Sequence, residues 1–328
     1  VTKFLALLLL ATVPAAAATP FTYYQDWFPG AQYAGLYVAL DQGLFRQAGL
    51  DVTIHPFAFG QNQVALVDSD PARAAAGTME GYIVLQKRAK GADLRVFAAV
   101  LRESPAGYMT LPGRPLASAR DLVGKRVGVH KYGDPLYRLF LRRAGIDPSQ
   151  STMVFVDDDI GRLQRGEVDV MQGYAVEELV KLRRRVGPGA GFISFRQLGF
   201  DAYSEILFTT AAQLRAHGAD CHRFVDVVRG GWRLASEHPD LAVDAVMARM
   251  PAGTDRSLVR DMLLATLPYV ATPVPPILGE MDPAKWRGMS RACVEMGLLP
   301  KAEDPATFVA GAFSPPVSVL EPTGSAPR

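Results

Sequence analysis

The chain has 328 residues, 49% of them hydrophobic, with 35 Lys and Arg against 33 Asp and Glu, a net charge of +2. That length allows two lobes or domains, each with its own core. The near-neutral balance, with no basic stripe interleaved with aromatics, argues against nucleic acid as a partner.

The chain opens VTKFLALLLLATVPAAAATP. Lys3 precedes an apolar run from Phe4 to Val13, and Ala16-Ala17-Ala18 forms a small-residue site. This pattern predicts a secretory signal peptide over residues 1–18, cleaved after Ala18. The run is shorter than the roughly 20 residues that a spanning helix needs.

Short apolar strands then alternate with helical patterns. FTYYQ (21–25) reads as a strand. Tyr33, Leu36, Tyr37 and Leu40 share one helical face, and Gly43 supplies a left-handed stop. LDVTIHPF (50–57) is a second strand, followed by a helix from Gln61 to Val67 and a strand near Arg73 to Ala76. Met79 to Lys90 is helical and LRVFAAVL (94–101) is a strand. Strands separated by helices imply parallel βαβ units.

The pattern restarts at GYMTL (107–111), which is extended. ASARDLVG is a short helix and KRVGVH (125–130) a buried strand. Asp134 is read as the N-cap of the next helix, with Pro135 at its first position. TMVFV (152–156) and VDVMQG follow as strands, and Asp157, Asp158 and Asp159 read as an N-cap cluster rather than a metal site. SEILFTT (204–210) is extended, and helices continue to about residue 300. The expected division is lobe one over 19–105, lobe two over 106–205, a return to lobe one with C-terminal helices over 206–313, and a tail disordered by composition over 314–328. Two extended crossings, near 105–111 and 203–210, join two Rossmann-like α/β lobes.

The two cysteines, Cys221 and Cys293, allow one disulfide in an exported protein. His217 and Cys221, four residues apart, with His222 beside them, read as helix neighbours rather than a metal site.

Three blocks in this order carry a family resemblance. LYVALDQGLFRQAGLDVTI, SARDLVGKRVGV and LQRGEVDVMQGY resemble segments of the periplasmic solute-binding proteins of bacterial ABC importers. The opening DWFPGAQYAGLYVA is similar to the branch that binds pyrimidine precursors of thiamine, although Gly30-Ala31-Gln32-Tyr33 stands where that branch often has Asn and His. The resemblance spans most of 21–250 and implies a two-lobed, type II periplasmic binding protein fold that closes on its ligand like a hinge. It implies a periplasmic monomer that delivers a small molecule to a membrane ABC permease. The branch also contains an enzyme that makes the pyrimidine from its own histidine and pyridoxal phosphate. Its helix after strand three carries a histidine, whereas GTMEGYIVLQKRAKG has none, and no cysteine cluster is present. A binding protein with no cofactor is therefore expected, not an enzyme. A sulfonate, nitrate, riboflavin or another aromatic solute remains an alternative ligand.

In parallel α/β sheets, ligands bind beyond the C-terminal strand ends. That rule selects Asp26, Trp27 and Phe28 after strand one, with Gln32 and Tyr33 entering the helix. It selects Glu80 and Tyr82 after strand three, Tyr132 and Asp134 after VGVH, and Tyr174 and Glu177 after VDVMQ. Tyr203 and Glu205 lie at the second crossing. Several have plainer readings: Tyr33 shares the core stripe with Tyr37, and Asp26, Glu80, Asp134 and Glu177 stand where helix-starting acids are favoured. As a set, aromatics offer stacking faces and carboxylates accept from ring N–H groups, which suits an aminopyrimidine-like heterocycle or small cation better than an anion.

Overall fold

The computed structural model describes residues 18–131, 133–157, 159–270 and 278–310. The predicted signal peptide lies outside the described residues apart from Ala18, as do Tyr132, Asp158 and the tail. The first strand starts at Thr19.

The chain runs β1 (Thr19–Tyr24), α1 (Ala34–Asp41), α2 (Leu44–Gln47), β2 (Leu50–His55), α3 (Gln63–Val67), β3 (Ala74–Met79), α4 (Gly81–Ala89) and β4 (Leu94–Leu101). It then crosses to β5 (Ala106–Thr110), β6 (Arg126–His130), α5 (Asp134–Arg143), β7 (Thr152–Val156), α6 (Gly161–Gln164), β8 (Val170–Tyr174), α7 (Glu178–Val186) and β9 (Gly191–Ser194). It returns through β10 (Ser204–Thr210) to α8 (Ala211–Glu237), α9 (Pro239–Met247), α10 (Arg256–Val270) and α11 (Pro283–Glu295). No described helix is long and apolar enough to cross a membrane.

Two five-stranded sheets result, ordered β2-β1-β3-β10-β4 and β7-β6-β8-β5-β9. Strand β1 runs parallel to β2 and β3, and β6 parallel to β7 and β8, as the βαβ reading implies, while the crossing strands run the other way. β10 runs antiparallel to β3 and β4, and β5 antiparallel to β8 and β9. The reason is geometric. Each crossing leaves one sheet near the edge that faces the other lobe and enters the second sheet from the same side, so the entering strand runs backwards. Strand β9 was not anticipated from sequence.

Local chemistry accounts for the boundaries. Gly43 has φ 68° and separates α1 from α2, a left-handed conformation that glycine adopts without a Cβ clash. Pro56 follows His55 and lacks the N–H that would extend β2. Asp134 is the first residue of α5 rather than its N-cap, which is Gly133, and its carboxylate pairs with Arg138 one turn on at 2.7 Å.

In lobe one, Phe224 of α8 stacks on Phe21 of β1 with centroids 4.5 Å apart and packs against Phe45 at 5.2 Å. Helices α1 and α8 touch through small residues. A Cβ on Gly35 would lie 2.3 Å from the Trp232 ring, and one on Gly231 would lie 2.0 Å from the Gly35 carbonyl oxygen. In lobe two, Tyr108 of β5 packs edge-on against Phe195 at 5.2 Å. Burial of each such ring contributes about 1.5–3 kcal/mol. Cys221 and Cys293 are free, buried thiols in different clusters, so they form no disulfide. Burial pushes both thiols up to about 12.

Candidate functional site

Asp26 follows β1, Glu80 follows β3, and Glu205 is the second residue of β10. Strands β1 and β3 are parallel neighbours, and Ile206 pairs with Met79, so all three acids emerge on one edge of the lobe-one sheet. Each is half-buried.

Each carboxylate has a hydroxyl partner. Tyr33 Oη donates to Asp26 Oδ1 at 2.7 Å and accepts from the Trp27 amide at 3.1 Å. Ser204 Oγ donates to Glu80 Oε1 at 2.6 Å, and Thr78 Oγ1 donates to Glu205 Oε2 at 3.1 Å. From lobe two, Tyr174 Oη reaches Glu80 Oε1 at 3.3 Å. Asp26 does not cap the helix after it, whose N-cap is Gly30. Glu80 stands at the N-cap of α4, but its side chain makes no capping bond there.

Burial pushes Asp26 up to about 6, although its bond from Tyr33 opposes the shift. Burial and the Asp26 charge bring Glu80 up to about 7, against the bonds from Ser204 and Tyr174. Glu205 is held well above the usual carboxylate range by burial, then by the charges of Asp26 and Glu80. Glu80 and Glu205 thus each feel the charge of a neighbouring acid. Like charges at low effective dielectric resist joint ionisation, and a cation or N–H-rich group placed among them relieves that resistance.

Glu205 is also the only described non-glycine residue with positive φ, at 51°. An L residue held there costs roughly 1–3 kcal/mol, and such strain concentrates at ligand clamps. A cavity of about 10 Å³ lies behind it, bounded by Tyr23, Gln32, Tyr33 and Trp232. That is room for about one water.

The other predicted residues divide. Gln32 is half-buried, and its Nε2 lies 3.4 Å from the Phe28 carbonyl oxygen. Tyr82 is half-buried and packs edge-on against Phe200 at 6.2 Å. Glu177 pairs with Lys181 at 2.8 Å on the surface of α7. Its neighbour Glu178, not singled out from sequence, is the one that turns inward and accepts from the Tyr174 amide at 2.8 Å. Burial, then the Glu177 charge, brings Glu178 up to about 7. Tyr203 is buried at the second crossing, just before β10. Its hydroxyl accepts from the Asp282 amide at 2.6 Å, and the Lys285 ammonium sits 4.5 Å over its ring. Beside it is a cavity of about 380 Å³ in whose wall Arg196 pairs with Glu103 and Lys285 with Asp201, both at 2.6 Å.

Trp27 packs on the lobe-one core and stacks on Phe57, centroids 5.5 Å apart. Phe28 meets Phe57 at 5.4 Å and Phe59 at 5.5 Å, both edge-on. Phe57 and Phe59 escaped the sequence reading because strand two was extended over Phe57; the same strand-end rule, applied after β2, selects them.

Comparison with known proteins agrees with this architecture. The chain is 25% identical over 279 residues to riboflavin-binding protein RibY of Chloroflexus aurantiacus, covering 79% of this chain and 77% of the relative. It is 25% identical over 226 residues to the formylaminopyrimidine-binding protein of Halalkalibacterium halodurans, covering 68% of each. Its fold superposes on the periplasmic aliphatic sulphonate binding protein SsuA of Escherichia coli with a TM-score of 0.67 at 14% identity, over 89% of this chain and 97% of that one. The fold is thus the two-lobed periplasmic binding protein fold. The NMT1/THI5 like family model matches residues 30–242, across the loops that carry Glu80, Tyr174 and Glu205, and the chain belongs to that family.

Proposed function

We propose that this protein is the substrate-binding component of an ABC importer, acting as a periplasmic monomer that captures a flat, N–H-rich heterocycle of the aminopyrimidine type between its lobes. One observation carries the reading: Asp26, Glu80 and Glu205 converge on one sheet edge, where the Asp26 charge acts on Glu80 and the Asp26 and Glu80 charges act on Glu205. An exocyclic amino group and a protonated ring nitrogen present parallel donors that a carboxylate accepts in pairs. Hydrogen bonds to a charged group contribute about 1.5–3 kcal/mol each. Trp27 supplies an aromatic face beside Asp26, and Tyr174 brings lobe two onto Glu80. The similarity to a protein named for formylaminopyrimidine binding supports this ligand class. A sulfonate or nitrate would meet three carboxylates and gain nothing from them.

The test is titration calorimetry of the mature chain with 4-amino-5-hydroxymethyl-2-methylpyrimidine, riboflavin and an alkanesulfonate. The pyrimidine should bind, and Asp26→Asn should weaken it about tenfold or more. Tight sulfonate binding with no response to the pyrimidine overturns the reading. Pyridoxal phosphate absorbance or iron in the purified protein would favour a pyrimidine synthase instead.

A further inference from the structure

The aromatic cluster next to Asp26 is larger than a one-ring ligand needs. Trp27, Phe28, Phe57 and Phe59 form a continuous chain of ring contacts 5.3–5.6 Å apart. Phe28 is 44% exposed and Phe59 78% exposed. Apolar rings that touch each other and water at a cleft edge present surface whose burial is favourable but still unused.

Three features say what covers them. The cluster is continuous with the acidic site, since Asp26 and Trp27 are chain neighbours and the Tyr33 hydroxyl bonds both. Neither loop carries an ionisable side chain from Trp27 to Gln32 or from Pro56 to Gln63. The polar side chains of these two loops are amides instead: Gln32, Gln61, Asn62 and Gln63. The two loops are also tied together, because Gln63 Nε2 donates at 2.7 Å to the carbonyl oxygen of Gln25, at the end of β1. Beyond Asp26 a charged partner finds no counter-charge on these two loops, and a flat neutral group finds pre-placed faces.

We propose that this cluster is a second subsite of the same cleft, taking a flat, uncharged second ring attached to the hydrogen-bonding head group. The ligand is then an extended heteroaromatic compound with its donor-rich ring among Asp26, Glu80 and Glu205 and its apolar ring on Phe57 and Phe59. This rests on the aminopyrimidine reading of the acidic site. Phe59 is the specificity element, because it touches only Phe28 and Phe57 within the cluster and stands clear of the carboxylates.

A matched pair of probes tests it: 2,4-diaminopyrimidine, and the same ring carrying a 5-benzyl group. Calorimetry on the whole mature chain should show the benzyl compound binding about tenfold tighter. Phe59→Ala should reduce that advantage, and Phe57→Ala/Phe59→Ala should reduce it to about threefold or less, with the affinity for plain diaminopyrimidine and the melting temperature unchanged. An advantage that persists in the double variant, or an equal loss for both probes, overturns the second subsite and leaves the acidic site standing. Failure of both probes to bind the parent chain overturns the acidic-site reading, and the second subsite with it.

Discussion

Tyr174, the last residue of β8 in lobe two, donates its hydroxyl hydrogen to Glu80 Oε1 of lobe one at 3.3 Å. Glu80 Oε1 also accepts from Ser204 at 2.6 Å, so one oxygen joins a lobe-one loop, the second crossing and lobe two. A closed lobe arrangement is stabilised only by contacts that differ between open and closed states. A bond from one lobe to the other breaks when the lobes separate, and this one ends inside the candidate site.

Replacing Tyr174 by Phe keeps the ring and removes the bond. The variant should fold normally, because Ser204 still partners Glu80. Its affinity for an aminopyrimidine should fall about three- to tenfold, the net value of about 1 kcal/mol for one ordinary hydrogen bond, with the loss in the dissociation rate. Stopped-flow measurement of both rates decides this. A change confined to the association rate would remove Tyr174 from closure.

The carboxylates make stability depend on pH in an unusual direction. Asp26 titrates near 3.8 and Glu80 near 4.5 when unfolded, but at about 6 and about 7 when folded. Between those values the native state holds protons that the unfolded chain has released. The contribution of these groups is therefore full below the unfolded values and is lost as pH rises through about 6–7. Glu80→Gln carries no such loss, so its melting temperature should gain on the parent's from about pH 5 to about pH 8. A gap that stays constant with pH would show that Glu80 titrates normally. Affinity for a cationic or donor-rich ligand should rise over the same window, because binding favours the ionised acids.

Much of this arrangement was legible because chemistry sits at fixed places in the chain. Asp26, Glu80 and Tyr174 lie at or just beyond strand ends, and a strand-end rule needs no knowledge of sheet order. Strand direction was not legible in β5 and β10, because it depends on where each crossing enters its sheet. The choice between Glu177 and Glu178 was equally hidden. Both acids stand at the start of α7, and the backbone of Glu177 (φ −133°, ψ −78°) decides which one turns inward. Tyr203 lies at the second crossing, but its contacts there with Asp282 and Lys285, far along the chain, have no sign in the local sequence.

Glu205 should show opposed effects on stability and binding. Its backbone sits at φ 51°, where glycine alone is free of strain, and its carboxylate is crowded by two others. Glu205→Gly relieves both costs, and the unfolded chain's added freedom offsets about 1 kcal/mol of the gain. The melting temperature should rise, while affinity for an aminopyrimidine falls about tenfold. Differential scanning fluorimetry and calorimetry on the same preparation read both. Unaltered affinity would take Glu205 out of the site.

A second bridge between the lobes lies on the flank. Arg184, near the end of α7 in lobe two, donates to Asp255 Oδ2 at 2.7 Å and to Ser257 Oγ at 2.5 Å, and pairs with Asp261 at 2.8 Å. All three partners lie at the start of α10 in lobe one. Val180, one turn earlier on α7, packs on the lobe-one core. The guanidinium thus spends its donors across the lobe boundary without touching the acidic site. Arg184→Ala should leave the chemistry of the cleft intact but weaken closure. Small-angle scattering should report a larger radius of gyration without ligand. Ligand affinity should fall about two- to fivefold, as expected for a partly exposed charge network. Lysine at the same position keeps the charge but cannot span three acceptors in one plane, so it should recover only part of the loss. An unchanged scattering profile for Arg184→Ala would show that this bridge does not hold the lobes together.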